Sequence, residues 1–498
     1  MAEGEVPGEW EPALADLAER RLAARAMGGD ERLARHHAAG KLDARGRVDA
    51  LLDAGSFVEI GTLVGTVPAD GFVAGAGEID GRPVMVGAED FTVLGGTIGS
   101  GSNSKRYRIA ELALRARVPL VMLLEGAGYR GDSGHGRSPT DLIMQAQCSG
   151  CVPMVTAVLG PSAGHGALIA PISDFTVMTE AAAIFTAGPP VVRVSTGEEV
   201  TKEDLGGPRV AVGAGLVHNV AGTDTDALAL VRAYLSYFPA SAWSYPPQRT
   251  EGDVGPRTVD DMLSIVPRNG RAIYDMGRVL DAVVDGGEWF EVQPGFGRSI
   301  LCALARIGGE AVAIVANQPR VIAGSIDASA ADKAAHFITV ADSFHLPLLF
   351  LADNPGMLPG TKSEQAGVLR SGARMFVAQT QATTPKVHVT LRKAYGFGSM
   401  VMALVGFDQQ VATFAFPGAT LGAMGAGAMG EASKADPERA AELRQAELDA
   451  AYRSAGHLGF DEIIDPRETR NAVLHGLALA ASRRQVPAEP VARTAIVP

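Results

Sequence analysis

Hydrophobic positions along this chain follow two rhythms. Short β-branched runs predict buried strands, and apolar residues at helical spacing predict the helices between them. From Gly81 onward the two alternate, which predicts an α/β fold with mostly parallel strands. The clearest unit is Thr384–Met402. Its run from Val387 to Leu391 predicts a strand that stops at Gly396-Phe397-Gly398, and an apolar helical pattern follows. Upstream, Leu14, Leu17, Leu22 and Leu33 recur among Glu and Arg, predicting one amphipathic helix from the chain start to about Ala39. Pro437–Ala451 predicts a charged, Ala-rich helix, with Asp436 as its cap and Pro437 at its first position. The stretch after Arg484, with Pro487, Pro490 and Pro498, is expected to lie extended or disordered.

The pattern occurs twice. Val152-Pro153-Met154-Val155 also leads through an apolar strand, into Gly164-His165-Gly166-Ala167. Val118–Leu124 matches Leu346–Leu351, Val84–Ala88 matches Val312–Ala316, and Asp49–Glu59 matches Asp281–Glu291. The order is the same and the separation stays near 230 residues, far beyond a solenoid period. One ancestral domain used twice is the simplest account. The polar, Gly- and Pro-containing stretch Gln248–Thr258 is the linker candidate, giving an N-terminal domain over 1–250 and a C-terminal domain over 251–498.

Glycine at a strand-to-helix turn opens conformations closed to other residues. Free N–H groups at a helix start donate to anions. Each turn therefore reads either as an oxyanion hole or as a tight turn packed for its own sake. Two such turns suit a reaction with two oxyanions.

Composition narrows the class. With 498 residues, 47% hydrophobic and 20% charged, the chain has the make-up of a globular protein with large cores. Sixty glycines and only 6% aromatics fit many tight turns. A net charge of −12 argues against nucleic-acid binding, so an anionic ligand would need a local basic pocket. Cys148 and Cys151 form a C-x-x-C with no second pair, which reads as small buried or half-buried thiols in a reducing cytoplasm. There is no basic-then-apolar N-terminal signal and no apolar run of ~18 residues, so a cytoplasmic protein without a membrane span is expected.

A set of motifs appears in order. Gly40-Lys41-Leu42 is followed by Leu51-Leu52-Asp53-Ala54-Gly55-Ser56-Phe57, Gly160-Pro161-Ser162-Ala163-Gly164, and Thr196-Gly197-Glu198-Glu199-Val200 with Leu205-Gly206-Gly207. The second half adds Val315-Ala316-Asn317-Gln318-Pro319, Asp353-Asn354-Pro355-Gly356-Met357-Leu358-Pro359-Gly360, and Arg392-Lys393-Ala394-Tyr395-Gly396. With these the chain resembles, over nearly its whole length, the carboxyltransferase (β) subunit of biotin-dependent acyl-CoA carboxylases of the propionyl-CoA carboxylase type.

The resemblance implies two tandem crotonase-like domains with mixed, mostly parallel sheets, the first on the acyl-CoA side and the second on the biotin side. It implies biotin on a separate carrier protein, no metal in this subunit, an acyl-CoA substrate, and biotin carboxylase and biotin carrier partners. It also implies a homo-oligomer, a hexamer, with sites between one subunit's first domain and another's second. Biotin's own nitrogen takes the α-proton in the family, so no side-chain base is required. Carried over by position, one oxyanion hole falls at Gly164 and His165 with Gly166 beside them, and the other at Phe397 and Gly398. Gly128, Tyr129, Arg130, Ala163 and Met400 are the substrate-binding candidates, and Tyr395, Gly396 and Gly356 the cofactor-binding ones.

Departures gather at these positions. His165 and Phe397 stand where the family has glycine, and Glu125-Gly126-Ala127-Gly128-Tyr129-Arg130 replaces an Asp-Ser-Gly-Gly-Ala-Arg pattern. Met400 stands where propionyl-preferring members carry Asp and acetyl-tolerant ones an aliphatic residue. His165 either orients a carboxylate or titrates near neutrality, or else fills space left by its neighbours. Arg130 either holds a CoA phosphate or holds its own loop. Arg392 and Lys393 face phosphate or pair with an acid, the second being preferred, and Asp353 and Asn354 are read as fixing their turn. Valine at Gly398 is expected to block the turn while barely touching the core. A decarboxylase or transcarboxylase acting on malonyl- or methylmalonyl-type thioesters is the alternative function, and a non-catalytic scaffold subunit the second.

Overall fold

The computed structural model describes residues 8–131, 140–491 and 496. The chain forms two compact units, Met1–Arg232 and Ala233–Pro498. The Gln248–Thr258 stretch lies inside the second unit, where the Arg249 N–H donates to the Gly309 carbonyl at 2.9 Å.

The first unit is built on an eight-stranded sheet. Its strands are β1 (Val58–Glu59), β2 (Phe72–Ile79), β3 (Arg82–Glu89), β4 (Leu120–Gly126), β5 (Met154–Ala163), β6 (Phe175–Thr179), β7 (Ala183–Phe185) and β8 (Asn219–Ala221). The order is β1-β2-β3-β4-β5-β6-β8, with β7 beside β5. The first three strands run antiparallel and the rest parallel. Asp80 and Gly81, at φ 51° and 70°, close the β2–β3 hairpin in the left-handed conformation that a two-residue turn demands.

The second unit repeats this plan. Its strands are β9 (Trp289–Val292), β10 (Ile300–Ile307), β11 (Glu310–Asn317), β12 (Leu348–Asn354), β13 (Lys386–Tyr395), β14 (Gln410–Ala415), β15 (Thr420–Gly422) and β16 (Glu462–Ile463). They pair in the equivalent order with the equivalent directions, and β15 lies beside β13. Gly308 and Gly309, at φ 66° and 74°, close its hairpin. Even the ladder irregularity recurs, between Leu124 and Gly126 in one sheet and Ala352 and Asn354 in the other. The duplication read from the sequence is present strand for strand.

The central parallel strands are buried on both faces, which is why they read as unbroken apolar runs. In the first unit Phe72, Leu120, Met122 and Met154 share a core with Ile109, Ala110 and Ala113 of helix Ser100–Ala116. In the second, Ile314, Leu349, Val387 and Val389 share a core with Val279, Leu280, Val473 and Leu477.

The expected N-terminal helix is two helices, Glu11–Arg25 and Asp30–Ala38, and its first seven residues lie outside the described ones. Gly28 and Gly29 break it. Gly29 sits at φ 83°, and a Cβ on Gly28 would stand 2.3 Å from the Thr92 carbonyl oxygen. The leucine rhythm does not mark a buried face either: Leu14 and Leu22 are exposed. Asp436 caps Pro437–Leu448 as expected, accepting from the Arg439 N–H at 2.8 Å. Of the C-terminal prolines, Pro498 lies outside the described residues. All three cysteines are free, and burial pushes the Cys148 and Cys302 thiols up to about 12. Among the described residues no helix is long and apolar enough to cross a membrane.

Candidate active site

In the first unit, β5 runs without a loop into the short helix Gly164–Ala167. Ala163 is extended (φ −129°, ψ 147°), and Gly164 turns the chain at φ 56°, where a side chain would be strained. The N–H groups of Gly164, His165 and Gly166 lie in a first helical turn, where no i−4 carbonyl of the helix exists to receive them. The Gly128 loop is held against this turn. A Cβ on Gly128, at φ 87°, would stand 3.1 Å from the Ala163 carbonyl oxygen. Ile98 pins the loop, donating to the Gly128 carbonyl and accepting from the Arg130 N–H, both at 2.8 Å.

Beneath the turn lies a polar chain of four side chains. His165 Nε2 bonds Asp141 Oδ1 at 2.5 Å, and Arg106 Nε donates to Asp141 Oδ2 at 2.5 Å. Arg106 Nη1 donates to Glu89 Oε1 at 2.9 Å, and Glu89 Oε2 accepts the Glu125 N–H at 2.9 Å. Arg106, Asp141 and Glu89 are buried, while His165 keeps 21% of its side chain exposed. Burial alone would raise the Asp141 pKa. The Arg106 charge and the hydrogen bonds from His165 and Arg106 outweigh it and hold the carboxyl well below the usual range. Glu89 goes the other way, raised by burial against the pull of the same guanidinium. Arg106 Nη2 and Gln145 Oε1 are buried there without hydrogen-bond partners among the described residues. The half-exposed Tyr129 ring stands 5.7 Å from the imidazole.

Two other ionic groups in this unit hold its loops and strand ends. Arg130 donates to Asp70 Oδ1 at 2.9 Å and to the Thr97 carbonyl at 3.1 Å, so its guanidinium holds its own loop. Glu125 receives Lys41 at 2.5 Å and Arg47 at 2.6 Å, and Arg47 also reaches Asp224 at 2.8 Å. The Gly40–Arg47 motif thus supplies the cations for an acid at the end of β4.

The second unit has the same turn. Tyr395 is extended (φ −112°, ψ 144°), Gly396 turns at φ 54°, and helix Gly396–Val401 begins at once. Gly356, at φ 116°, takes the place of Gly128, and Ile326 pins it, donating to the Gly356 carbonyl at 3.1 Å and accepting from Leu358 at 2.8 Å. The isolated bridges Ile98–Tyr129 and Ile326–Met357 are 228 positions apart at both ends.

The side chains differ. Phe397 lies 5.9 Å from the Phe376 ring, an apolar pair. The Tyr395 hydroxyl donates to Glu447 Oε1 at 2.5 Å, tying the turn to helix Pro437–Leu448. Met400 is partly exposed and its carbonyl accepts from Gln379 at 3.0 Å. Asn354 Oδ1 accepts the Gly356 N–H at 3.0 Å, which fixes the loop. Asp353 accepts from Arg392 Nε at 2.7 Å and from the Tyr274 hydroxyl at 2.9 Å, while Arg392 Nη1 and Lys393 Nζ donate to carbonyls of residues 269–272. Arg392, Lys393, Asp353 and Asn354 are therefore engaged structurally. The expectation for Gly398 needs correction. A Cβ there would stand 2.4 Å from Asn354 Oδ1 and 2.6 Å from Gly356 Cα, so valine would push the two loops apart.

The sequence reading missed Glu89, Arg106 and Asp141. A signal was there: Arg106 precedes Ile109, Ala110 and Ala113 at core spacing, and Glu89 ends the apolar run of β3. A charge in core register needs a buried partner. Among the described residues, no group of three or more His, Cys, Asp or Glu is arranged to hold a metal.

Comparison with known proteins gives the family. The carboxyl transferase domain family matches residues 35–493. The chain is 36% identical over 491 residues to the methylmalonyl-CoA decarboxylase subunit alpha of Veillonella parvula, covering 94% of this chain and 96% of that one. It is 37% identical over 503 residues to the propionyl-CoA carboxylase carboxyltransferase subunit of Haloferax mediterranei, covering 95% and 97%. Among solved structures, transcarboxylase 12S with methylmalonyl-coenzyme A and methylmalonic acid bound superposes with a TM-score of 0.90 at 35% identity, over 99% of this chain and 100% of that one. The chain belongs to the carboxyl transferase family, as a carboxyltransferase enzyme of the propionyl-CoA carboxylase type with a crotonase-like fold.

Proposed function

We propose that this chain moves a carboxyl group between the α carbon of an acyl-CoA and biotin carried on a separate protein. The first unit is the acyl-CoA side and the second the biotin side. The observation that carries this is the pair of equivalent glycine turns, each opening a helix at the end of a central strand. Removing an α-proton turns a thioester oxygen into an enolate, and fixed N–H donors hold such charge, each worth roughly 3–4 kcal/mol in comparable sites. In this reading Gly164, His165 and Gly166 hold the enolate oxygen, and Gly128, Tyr129, Arg130 and Ala163 shape the acyl-CoA pocket around it. In the second unit, Phe397 and Gly398 present N–H donors to biotin's ureido oxygen, with Tyr395, Gly396 and Gly356 framing the turn and Met400 beside the acyl chain. Neutral backbone donors suit that oxygen, and when bound biotin supplies the carboxyl group and the nitrogen that takes the proton. The substrates named for the relatives suggest a short 2-carboxyacyl-CoA as product or donor.

Two turns on one chain also suit a site completed by a second copy. A hexamer like the assembly named for transcarboxylase 12S is therefore proposed, with biotin carboxylase and a biotin carrier as partners in the cytoplasm. The test incubates the purified chain with methylmalonyl-CoA or malonyl-CoA and free biotin, and follows carboxybiotin and decarboxylated acyl-CoA. Carboxybiotin is expected, with at least one decarboxylated acyl-CoA formed for each. No biotin carboxylation with any 2-carboxyacyl-CoA overturns the reading, and a fully active monomer by light scattering overturns the assembly.

A further inference from the structure

Between the two glycines of the turn, the first unit carries a side chain able to move a proton and the second does not. At the matching place in the second unit, the ring is Phe397 packed near Phe376. His165 instead hangs from Asp141, whose other oxygen is held by Arg106, itself paired with Glu89. An ionised carboxylate accepts and cannot donate, so the proton of the His165–Asp141 bond sits on Nε2. Nδ1 is then the ring nitrogen that Asp141 leaves unengaged. The backbone N–H of this residue belongs to the turn, so an oxyanion bound at the turn is next to the imidazole. Partial exposure keeps the ring reachable. Space-filling alone does not explain a buried Arg–Asp–Glu chain assembled behind one imidazole.

We propose that His165, backed by Asp141, gives this chain a second activity: decarboxylation of 2-carboxyacyl-CoA thioesters without biotin. This rests on the acyl-CoA binding at the first turn proposed above. The bond between the α carbon and the carboxylate breaks, CO2 leaves, and the bonding pair moves into the thioester as an enolate held by the turn. The His165 imidazolium delivers its Nδ1 proton to the α carbon, forming a C–H bond as the thioester carbonyl returns. Neutral imidazole then recovers a proton from water. The balance is one 2-carboxyacyl-CoA and one proton in, one acyl-CoA and one CO2 out. No oxidant, reductant or other reactant is needed. Protonation traps the enolate before CO2 can recombine with it, which makes the proton donor limiting for net turnover.

The experiment uses the full chain with methylmalonyl-CoA and malonyl-CoA, avidin present to remove biotin, and CO2 release as the readout. Wild type is expected to release CO2. His165→Phe, the second unit's residue, and His165→Gln, which retains a donor for Asp141 but no transferable proton, are expected to lower that rate about 10²-fold. Circular dichroism and CoA binding confirm that both variants fold. Carboxyl transfer to free biotin is measured on wild type in parallel. Transfer to biotin without biotin-free CO2 release overturns this inference and leaves the carboxyltransferase reading standing. Equal CO2 release by wild type and both folded variants also overturns it. Neither reaction in wild type overturns both.

Discussion

The two glycine turns share a backbone and differ in what lies beneath it. In each, an extended residue precedes a glycine at φ 54–56°, the glycine two positions on packs against a neighbouring element, and a pinned loop glycine covers the strand end. Below the first turn is a buried ionic chain, Glu89–Arg106–Asp141–His165. Below the second, Asn317 stands where Glu89 does and Ala334 where Arg106 does, each 228 positions on, and both are buried. One hydrogen bond survives the change: Asn317 Oδ1 accepts the Asp353 N–H just as Glu89 Oε2 accepts the Glu125 N–H. Duplication has therefore kept the donors and let the side chains diverge. That is expected if the reaction needs two anion cradles but a charged floor under only one.

The strongest way to break this contrast is to give the first unit the second unit's apolar floor. Arg106→Met leaves Glu89 and Asp141 buried without their cation. Breaking such a pair costs about 3–5 kcal/mol, so urea melts should show a loss of that size at neutral pH. A loss below ~1 kcal/mol would mean that the ionic chain is loosely solvated and the contrast between the floors empty.

A second contrast is pH-gated. Asp174 Oδ2 accepts the Met154 N–H at the start of β5, and its other oxygen is buried without a partner among the described residues. At the start of β13, Lys386 replaces Met154 and meets Asp408 at 3.1 Å. With no cation to oppose it, burial pushes the Asp174 carboxyl up to about 7. Its folded pKa therefore lies above the unfolded value of about 3.9. The folded chain holds a proton the unfolded chain has lost, and stability falls as pH rises from about 4 to 7, then levels. Asp174→Asn removes this dependence. Its stability advantage over wild type in urea melts should widen across that window, by about 4 kcal/mol at most. A gap independent of pH would show that Asp174 is ionised when folded.

Much of this fold was legible because periodicity and duplication reinforce each other. Unbroken apolar runs gave the central strands, and the ordered repeat gave two units before either was seen. The glycine turns were legible because glycine at a strand end has few other uses. What was not legible is what depends on pairing at long range. Nothing local to Asp141 says that it meets Arg106 and His165, and nothing local to Arg130 says that it reaches Asp70 and not a ligand. The N-terminal helix was overextended for a related reason. Its leucine spacing is helical, but Gly28 is needed against Thr92, and the break wins.

A smaller loss separates the second glycines of the two turns. A Cβ on Gly166 would meet the end of a side chain, Glu89 Oε1, at 2.8 Å. A Cβ on Gly398 would meet Asn354 Oδ1 at 2.4 Å and the Gly356 backbone at 2.6 Å. A side chain yields more readily than backbone, so Gly398→Ala should cost about 1–3 kcal/mol and Gly166→Ala less. Thermal melts of the two variants measure it. Equal losses would mean that the cradles are equally rigid. A fall in activity of Gly398→Ala is therefore evidence about packing first and about oxyanion binding only once stability is matched.

The smallest expected effect concerns choice of substrate. Met400 sits two residues after Gly398 and is 37% exposed, and Leu168 sits two residues after Gly166 and is 46% exposed. An exposed apolar residue at each turn adds little to the core, so replacing one should change stability by no more than about 0.5 kcal/mol. If Met400 touches the acyl chain, its replacement changes how well different chains are desolvated, without removing any N–H donor from the turn. Met400→Asp should then alter the ratio of kcat/KM for propionyl-CoA over acetyl-CoA by about tenfold, the scale on which one methylene is discriminated. Because the donors remain, kcat for the better substrate should stay within a few-fold of wild type. Measuring both ratios in Met400→Asp and Leu168→Asp asks which turn reads the acyl chain. A shift confined to Met400→Asp assigns that reading to the second turn. A shift confined to Leu168→Asp moves it to the first and takes Met400 out of the acyl pocket.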